Sequence, residues 1–136
     1  MIRLFRRLAL GLLVLVALTG VAGAPAQAGT VQPSVVYSSC HLSGCSAALS
    51  AYNGWAAKGF PTARGWYKWS GTKYNYAGGV YSNREGELPS GDSFLEYDVY
   101  PRAKGAARDA HRIVVDEDTG VTWYSPDHYS NFYRIV

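Results

Sequence analysis

The spacing of apolar residues changes along the chain, and the first clear pattern is helical. Ala48, Tyr52 and Trp55 recur three or four positions apart, as residues on one face of an α-helix do. Ser46 stands just before this pattern as the expected N-cap, and Gly59 stands just after it as a residue that ends helices. We therefore predict one helix between these two residues.

After this helix the pattern becomes that of β-strands. Short runs rich in β-branched and aromatic residues are typical of strands, and they occur here at 80–82, 94–100, 113–116, 121–125 and 131–136. Asp118-Thr119-Gly120 separates two of them and predicts a hairpin turn. The stretch 62–79 keeps no period, so we expect loops around one or two short extended pieces. One helix followed by antiparallel strands predicts an α+β domain.

Alternation along the second of these strands places charged residues away from the core. The odd-numbered positions of 94–99 are apolar and should pack on the helix, so that Glu96 and Asp98 face the other side. In the next strand, Ile113 belongs to the core and Arg112 projects in the opposite direction. If the two strands are neighbours, Glu96 and Arg112 share the face away from the helix.

The first 28 residues have the pattern of a cleavable secretory signal. Arg3, Arg6 and Arg7 precede an apolar run over 8–21, and Ala26-Gln27-Ala28 offers a cleavage site. The alternative is an uncleaved anchor, but the run contains glycines and is short for a spanning helix, which needs about 20 apolar residues. We therefore expect a secreted, extracellular protein with no membrane contact after cleavage.

Cleavage changes what the charge of the chain implies. The full sequence has 13 lysines and arginines against 10 acidic residues, but three of the arginines lie in the signal. The mature chain is then neutral in formal charge, and net charge gives no argument for an anionic partner. Residues 29–45 are predicted to form an N-terminal leader, loose up to Ser39, and 46–136 to form the folded domain.

Two cysteines, Cys40 and Cys45, remain in the mature chain. In an oxidising exterior we expect them to form one local disulfide, and an intermolecular bridge is an alternative. A zinc site that uses this pair with His41 is a further alternative, but it lacks the second cluster of ligands that such sites need. We expect no metal site.

Positive charge is concentrated in one segment of the mature chain. Arg102, Lys104, Arg108 and Arg112 fall within 11 residues, and His128 follows in the turn before the last strand. Arginines bind phosphate oxygens through paired hydrogen bonds, and a carboxylate with an imidazole can exchange protons. These residue types suit phosphate chemistry, but ordinary surface salt bridges give the same composition.

Four segments resemble those of a known enzyme family, and they occur in the family's order. They are 79–85 with Leu88-Pro89, 94–99, 107–114, and 123–129 with Phe132. They are similar to the base-recognition segment, the general-base strand, the paired-arginine segment and the terminal Asp-His-Tyr of the secreted microbial guanyl-specific ribonucleases, the barnase-like family. The resemblance implies the microbial ribonuclease fold, in which one N-terminal helix packs on a curved antiparallel β-sheet.

The resemblance also implies a mechanism that needs no cofactor. Glu96 would take the proton of a ribose 2′-hydroxyl, which attacks the adjacent phosphorus, and His128 would protonate the departing 5′-oxygen. Arg108 and Arg112 would stabilise charge on the phosphate oxygens. The implied substrate is single-stranded RNA, cut 3′ of guanosine to a 2′,3′-cyclic phosphate that is then slowly hydrolysed. DNA lacks the 2′-hydroxyl and should not react.

The same resemblance implies where guanine binds. Glu85 would accept hydrogen bonds from guanine N1–H and the exocyclic amine, and backbone amides around Asn83 and Arg84 would donate to O6. Tyr81 and Tyr129 would stack on the base, as aromatic residues do in readers of single-stranded RNA. Asn83 is also expected to shape the turn through its tolerance of positive φ.

Other functions are compatible with the same sheet. A non-catalytic RNA- or protein-binding module and an anchored surface protein are alternatives, and a toxin would share the chemistry. The full set of Glu96, Arg108, Arg112 and His128 discriminates against a binding module, which has no need for two proton-transfer groups. The resemblance further implies a small acidic, barstar-like inhibitor as a partner, and we expect a monomer. The segment 66–76 matches no motif of the family.

Overall fold

Every helix and strand that the structure describes lies between residues 35 and 134. The structure is a computed structural model, and it describes residues 20, 23–27 and 35–136. Most of the predicted signal peptide lies outside the described residues, as does the first part of the predicted leader. No helix within the described ranges is long and apolar enough to cross a membrane.

One strand, one helix and then six strands follow each other along the chain. They are β1 (Val35–Tyr37), α1 (Cys45–Ala57), β2 (Gly65–Lys68), β3 (Tyr74–Tyr81), β4 (Phe94–Asp98), β5 (Arg112–Asp116), β6 (Thr122–Ser125) and β7 (Asn131–Arg134). The strands form one sheet in the order β1-β7-β6-β5-β4-β3-β2. Neighbours are antiparallel except for β1, which runs parallel to β7. The predicted α+β class is confirmed, and β4 and β5 are neighbours.

The helix packs on one face of the sheet through small residues and one tryptophan. Ala48, Ala51 and Trp55 are its buried residues, and the odd-numbered positions of 94–99 lie in the same core, as predicted. Trp55 is fully buried, and its ring centroid lies 4.8 Å from that of Tyr97. Its indole N–H donates to the backbone carbonyl of Asp98 at 3.0 Å. This hydrogen bond ties the helix to the end of β4.

The helix begins without the predicted cap. Ser46 is inside α1, the N-cap position is occupied by Gly44, and no side chain caps the helix. Gly44 lies so close to Tyr124 that a Cβ would overlap the Tyr124 hydroxyl. Cys45, the first residue of the helix, forms the predicted disulfide with Cys40. The disulfide and the contact with Tyr124 therefore hold the start of the helix, and the prediction of a Ser46 cap is wrong.

Part of the predicted leader is an ordered edge strand. The sequence predicts a loose segment up to Ser39, but β1 pairs with β7, and Tyr37 stacks on Tyr133 with ring centroids 4.5 Å apart. The prediction of a loose segment is therefore wrong for 35–37. Three residues are too few to show a period of their own. Their partner strand lies at the other end of the chain, so no local pattern indicates the pairing.

The stretch 62–79 contains most of a long hairpin, not loops with short extended pieces. β2 and β3 pair in antiparallel register, with Trp66 opposite Tyr76. The sequence predicts only the last two residues of β3 as strand. Glycines and lysines in this stretch interrupt the alternation of apolar and polar residues that is typical of a strand. The hairpin is nevertheless stabilised by cross-strand aromatic pairs such as Trp66 and Tyr76. A register shift between Ala77 and Gly79 then interrupts the pairing of β3 with β4.

The face of the sheet away from the helix is divided between a second apolar cluster and a charged region. The cluster consists of Tyr81, Leu88, Phe94, Val114, Trp123 and Phe132. Beside it lie Glu96, Asp98 and Arg112, because Glu96 pairs with Val114 and Asp98 with Arg112 in the register of β4 and β5. The prediction that Glu96 and Arg112 share this face is confirmed. All residues of β4 and β5 are buried, so Glu96, Asp98 and Arg112 are largely shielded from water on this face.

Replacing Trp55 by alanine should lower the free energy of unfolding by about 3–5 kcal/mol, because it empties a buried ring site and removes the donor to the Asp98 carbonyl. Leu49→Ala in the same helix is the matched control, because Leu49 is 42% exposed. It should change the free energy of unfolding by less than about 0.5 kcal/mol. Urea unfolding followed by circular dichroism measures both values, and equal losses would contradict the placement of Trp55 at the centre of the core.

Candidate active site

Glu96 lies in the middle of β4, with its carboxylate between a glycine and an arginine. The residue is only 9% exposed, and its Oε1 accepts a hydrogen bond from Arg108 Nη2 at 3.3 Å. A Cβ at Gly78 would overlap the same oxygen, so the backbone of β3 approaches this closely only because residue 78 has no side chain. The carboxylate is therefore held against the backbone of β3 beside one cation.

Asp98, two residues further along β4, is the centre of a buried cluster of charges. Its side chain is fully buried, and it forms ion pairs with Arg102, Arg108 and Arg112. Arg108 binds through two nitrogens, with Nε 3.0 Å from Oδ1, and Nη1 of Arg112 lies 3.3 Å from the same oxygen. Arg112 has a side chain only 3% exposed and makes no contact with Glu96 within ion-pair distance among the described residues.

Two aromatic residues of the β2–β3 hairpin cover these arginines. The guanidinium of Arg108 lies 4.5 Å from the ring centroid of Tyr76, and that of Arg102 lies 5.0 Å from the ring of Trp66. The two rings pack edge to face. Cation–π attraction is stronger where water is excluded. Trp66 and Tyr76, which lie in the segment 66–76 that matches no family motif, therefore stabilise the two guanidinium groups beside Asp98.

His128 lies in the loop between β6 and β7, and hydrogen bonds hold this loop in a strained conformation. His128 and Tyr129 have φ values of 54° and 72°, each costing about 1–3 kcal/mol in a residue with a side chain. Asp127 accepts a hydrogen bond from the backbone N–H of Asn131 at 2.8 Å. The N–H of His128 donates to the carbonyl of Ala110 at 2.9 Å. These bonds fix where the exposed imidazole lies.

The residues after β3 form a loop that Asn83 closes. Asn83 has a φ of 46°, and its positive φ is as predicted. Its Nδ2 donates to the carbonyl of Leu88 at 3.0 Å, and the N–H of Leu88 donates to its Oδ1 at 3.2 Å. Arg84 and Glu85 remain exposed at the tip of the loop. Asn83 therefore shapes the loop, which presents its two charged neighbours to solvent.

Tyr81 and Tyr129 pack against each other where this loop meets the His128 loop. Their ring centroids are 4.7 Å apart, and Tyr81 is 8% exposed while Tyr129 is half-buried. Burial, followed by the charge of Glu85, raises the pKa of Tyr81 to about 12, so its hydroxyl stays protonated. Tyr129 is therefore the ring with the larger surface open to a ligand, and Tyr81 supports it from below.

These elements meet at one cleft of about 340 Å³. Six residues that the sequence assigns to catalysis or base recognition line it: Tyr81, Arg84, Glu85, Glu96, His128 and Tyr129. The other three do not belong to its walls. Asn83 shapes the loop after β3, Arg108 reaches Glu96 from the side, and Arg112 is bound to Asp98.

The two predicted arginines differ in how their surroundings act on their pKa values. Burial lowers the pKa of Arg108, but hydrogen bonds and charge from Asp98, with a contribution from Glu96, outweigh it and the net shift is upward. For Arg112, burial dominates and the pKa is lowered. Arginine is effectively always protonated in proteins. Of the two, Arg108 brings its positive charge to Glu96.

Within 20, 23–27 and 35–136, no group of three or more His, Cys, Asp or Glu side chains is arranged to hold a metal ion. Cys40 and Cys45 are bonded to each other, so the zinc alternative loses both of its thiolate ligands.

The comparison with protein-family models matches residues 34–136 to a family described as ribonuclease. This chain belongs to the ribonuclease family. The match includes all of the strands, the helix and the cleft, and it identifies the ribonuclease as an RNA-cleaving enzyme whose substrate is RNA. No curated protein matches the chain closely enough to serve as a named relative.

Three side chains near the cleft of this ribonuclease have no role in the sequence prediction. The alternation of 94–99 predicts the correct face of the sheet for Asp98 but no role for it. The excess of arginines nearby is the sequence feature that indicates a buried carboxylate to balance their charge. Tyr76 lies in the segment 66–76 that matches no motif, and Arg64 lies two residues before that segment. Only the hairpin and its register bring them to the charged face, so the sequence offers no signal for either.

Asp98→Asn should lower the free energy of unfolding of the ribonuclease by about 3–5 kcal/mol, because it leaves three guanidinium groups without their buried counter-charge. Asp109→Asn is the matched control. Asp109 also pairs with Arg112, at 3.4 Å, but its side chain is 38% exposed, and the loss should stay below about 1 kcal/mol. Chemical unfolding of both variants measures the difference. Similar values for the two would show that Asp98 is not the charge on which the cluster depends.

Proposed function

We propose that this ribonuclease cuts single-stranded RNA 3′ of guanosine and does so without a metal ion. One observation carries the proposal: a carboxylate, an imidazole and an exposed Arg-Glu loop tip line the same cleft. A proton acceptor and a proton donor on one cleft suit transesterification by a ribose 2′-hydroxyl, in which the nucleophile belongs to the substrate. The choice of guanine rests on the resemblance of 79–85 to the guanyl-specific ribonucleases.

In the first step, Glu96 takes the proton of the 2′-hydroxyl while that oxygen attacks the adjacent phosphorus. The bond from phosphorus to the 5′-oxygen breaks, and His128, as imidazolium, gives its proton to the leaving oxygen. The products are a 2′,3′-cyclic phosphate and a free 5′-hydroxyl. In the slower second step His128 takes a proton from a water molecule, whose oxygen attacks the phosphorus. The bond from phosphorus to the 2′-oxygen breaks, Glu96 gives its proton to that oxygen, and a 3′-phosphate results.

The arginines contribute in different ways to this reaction. Arg108 lies 3.3 Å from Glu96 and is 24% exposed, so it supplies positive charge where negative charge develops on the phosphate. Arg112 is nearly buried, and in this proposal it is a positioning residue that acts through Asp98. The sequence prediction gave both arginines the same role at the phosphate, and we restrict that role to Arg108.

Guanine would bind at the closed loop after β3. Glu85 is exposed at the loop tip and lines the cleft, so its carboxylate can accept hydrogen bonds from guanine N1–H and the exocyclic amine. Adenine does not present this pair of donors. Backbone amides around Asn83 and Arg84 would donate to O6, and the base would stack on Tyr129. Asn83 supports this binding by holding the loop closed.

We further propose that the enzyme is secreted as a monomer after cleavage behind Ala28. The disulfide between Cys40 and Cys45 is compatible with an oxidising exterior. A small acidic, barstar-like inhibitor is the proposed protein partner, because exposed Arg84 at the mouth of the cleft can pair with its carboxylates.

Glu96→Gln and His128→Ala should each reduce kcat/KM for the dinucleotide GpU by about 100-fold or more, because each removes one proton-transfer group. Glu117→Gln in the exposed β5–β6 turn is the control and should keep full activity. Full activity in either site variant, with folding verified by circular dichroism, would contradict the assigned roles.

Glu85→Gln should reduce kcat/KM for GpU by roughly 10- to 100-fold and leave the slower cleavage of ApU nearly unchanged, because hydrogen bonds to a charged acceptor are lost only with guanine. The ratio of the two rates measures specificity independently of catalysis. Glu117→Gln again serves as the control. An equal fall with both substrates would mean that Glu85 does not read the base.

A further inference from the structure

Neither of the two arginines that the sequence predicts belongs to the walls of the cleft, and only Arg108 brings positive charge to Glu96, from the side. Arg112 is 3% exposed, and Arg108 is held by Asp98 through two of its nitrogens. The cations that line the cleft itself are Arg64 and Arg84. Arg84 belongs to the loop after β3 that is proposed to bind guanine, the recognition loop (82–88), whereas no role has been assigned to Arg64.

Arg64 lies immediately before β2, in the connection that follows the helix, and its side chain is exposed. It lines the same cleft as Glu96 and His128. Among the described residues it forms no ion pair, whereas Arg102, Arg108 and Arg112 are all bound to carboxylates. Its guanidinium therefore keeps its full capacity to bind an anion.

Two consecutive glycines of β3 lie against two side chains of the cleft, one against Arg64 and the other against Glu96. A Cβ at Gly79 would lie 2.7 Å from Cγ of Arg64, and a Cβ at Gly78 would overlap Oε1 of Glu96. Gly79 also has a φ of +77°, which favours glycine. The glycine pair lies at the register shift of β3, and the two side chains pack against its adjacent residues. The stem of Arg64 thus packs against the glycine that follows the one in contact with Glu96, and both side chains line the same cleft.

We propose that Arg64 binds the non-bridging oxygens of the phosphate that is cleaved. This inference rests on the proposed function, because a phosphate in reaction with Glu96 and His128 must lie between these two groups. A cation that lines the same space then meets the phosphate, and a guanidinium can bind two of its oxygens at once. Arg64 would supply at the cleft the second positive charge that Arg112 does not.

The test is cleavage of GpU, which contains only the phosphate that is cut. Arg64→Ala should reduce kcat/KM by about 10- to 100-fold, the effect of losing hydrogen bonds to a charged group. Arg64→Lys keeps the charge without the paired geometry and should recover part of the loss. Lys73→Gln removes one exposed positive charge from the β2–β3 turn and is the control for general attraction of RNA. It should change kcat/KM by less than about twofold.

The affinities for guanosine and for guanosine 3′-phosphate give a second test that does not depend on catalysis. Arg64→Ala should weaken the binding of guanosine 3′-phosphate by about tenfold and leave the binding of guanosine unchanged, because only the former carries the phosphate. Isothermal titration calorimetry measures both. If the affinity for both ligands fell by the same factor, Arg64 would contact the base and the inference would be overturned.

The outcomes separate this inference from the proposed function. If the unaltered enzyme cuts GpU and Arg64→Ala behaves like Lys73→Gln, the proposed function holds and the role of Arg64 is wrong. If Arg64→Ala slows pGpU and not GpU, Arg64 binds the phosphate on the 5′ side of guanosine, and the inference is also overturned. If the unaltered enzyme leaves both GpU and longer RNA intact, the proposed function fails, and the inference fails with it.

Discussion

The buried carboxylate of Asp98 is the interaction on which the rest of the site depends. Three guanidinium groups bind its side chain, and its backbone carbonyl accepts hydrogen bonds from Trp55 at 3.0 Å and Asn75 at 3.1 Å. Burying a charge is costly unless it is paired and hydrogen-bonded. One residue therefore connects the helical core to the charged face. The ion pairs of Asp98 hold Arg108 beside Glu96 and keep Arg112 out of the walls of the cleft.

A second constraint is backbone conformation at the cleft. Four residues other than glycine have positive φ, counting only the described parts of the chain, and Asn83, His128 and Tyr129 are three of them. Each carries a conformational cost that its hydrogen bonds must offset. Together with Gly78 and Gly79, which admit side chains against the backbone of β3, these positions bring the recognition loop, the imidazole and the carboxylate to one cleft.

The sequence predicts those features that a local pattern determines. Alternation in 94–99 correctly places Glu96 and Asp98 away from the helix, and the tolerance of Asn83 for positive φ is confirmed. The features that the sequence predicts wrongly or misses depend on contacts between residues that are far apart in the sequence. β1 exists through its pairing with β7, and the Ser46 cap is replaced by contacts of Gly44 and Cys45.

The same reason explains the limits of prediction at the site. The paired arginines are visible as a motif, but their different exposures follow from the position of Asp98 and from the rings of Trp66 and Tyr76 above Arg102 and Arg108. Neither ring belongs to a family motif. A short motif therefore indicates which chemistry is present, and the packing around it decides which of its side chains meet the substrate.

The proposed chemistry can be tested by incubating the enzyme with a chelator and a short RNA that contains a single guanosine, and by measuring the masses of the products. We predict one cut, 3′ of the guanosine, with a 2′,3′-cyclic phosphate on one fragment and a 5′-hydroxyl on the other. An intact RNA from folded enzyme would contradict the proposed chemistry. Cuts at other bases at equal rates would contradict the assignment of the recognition loop to guanine.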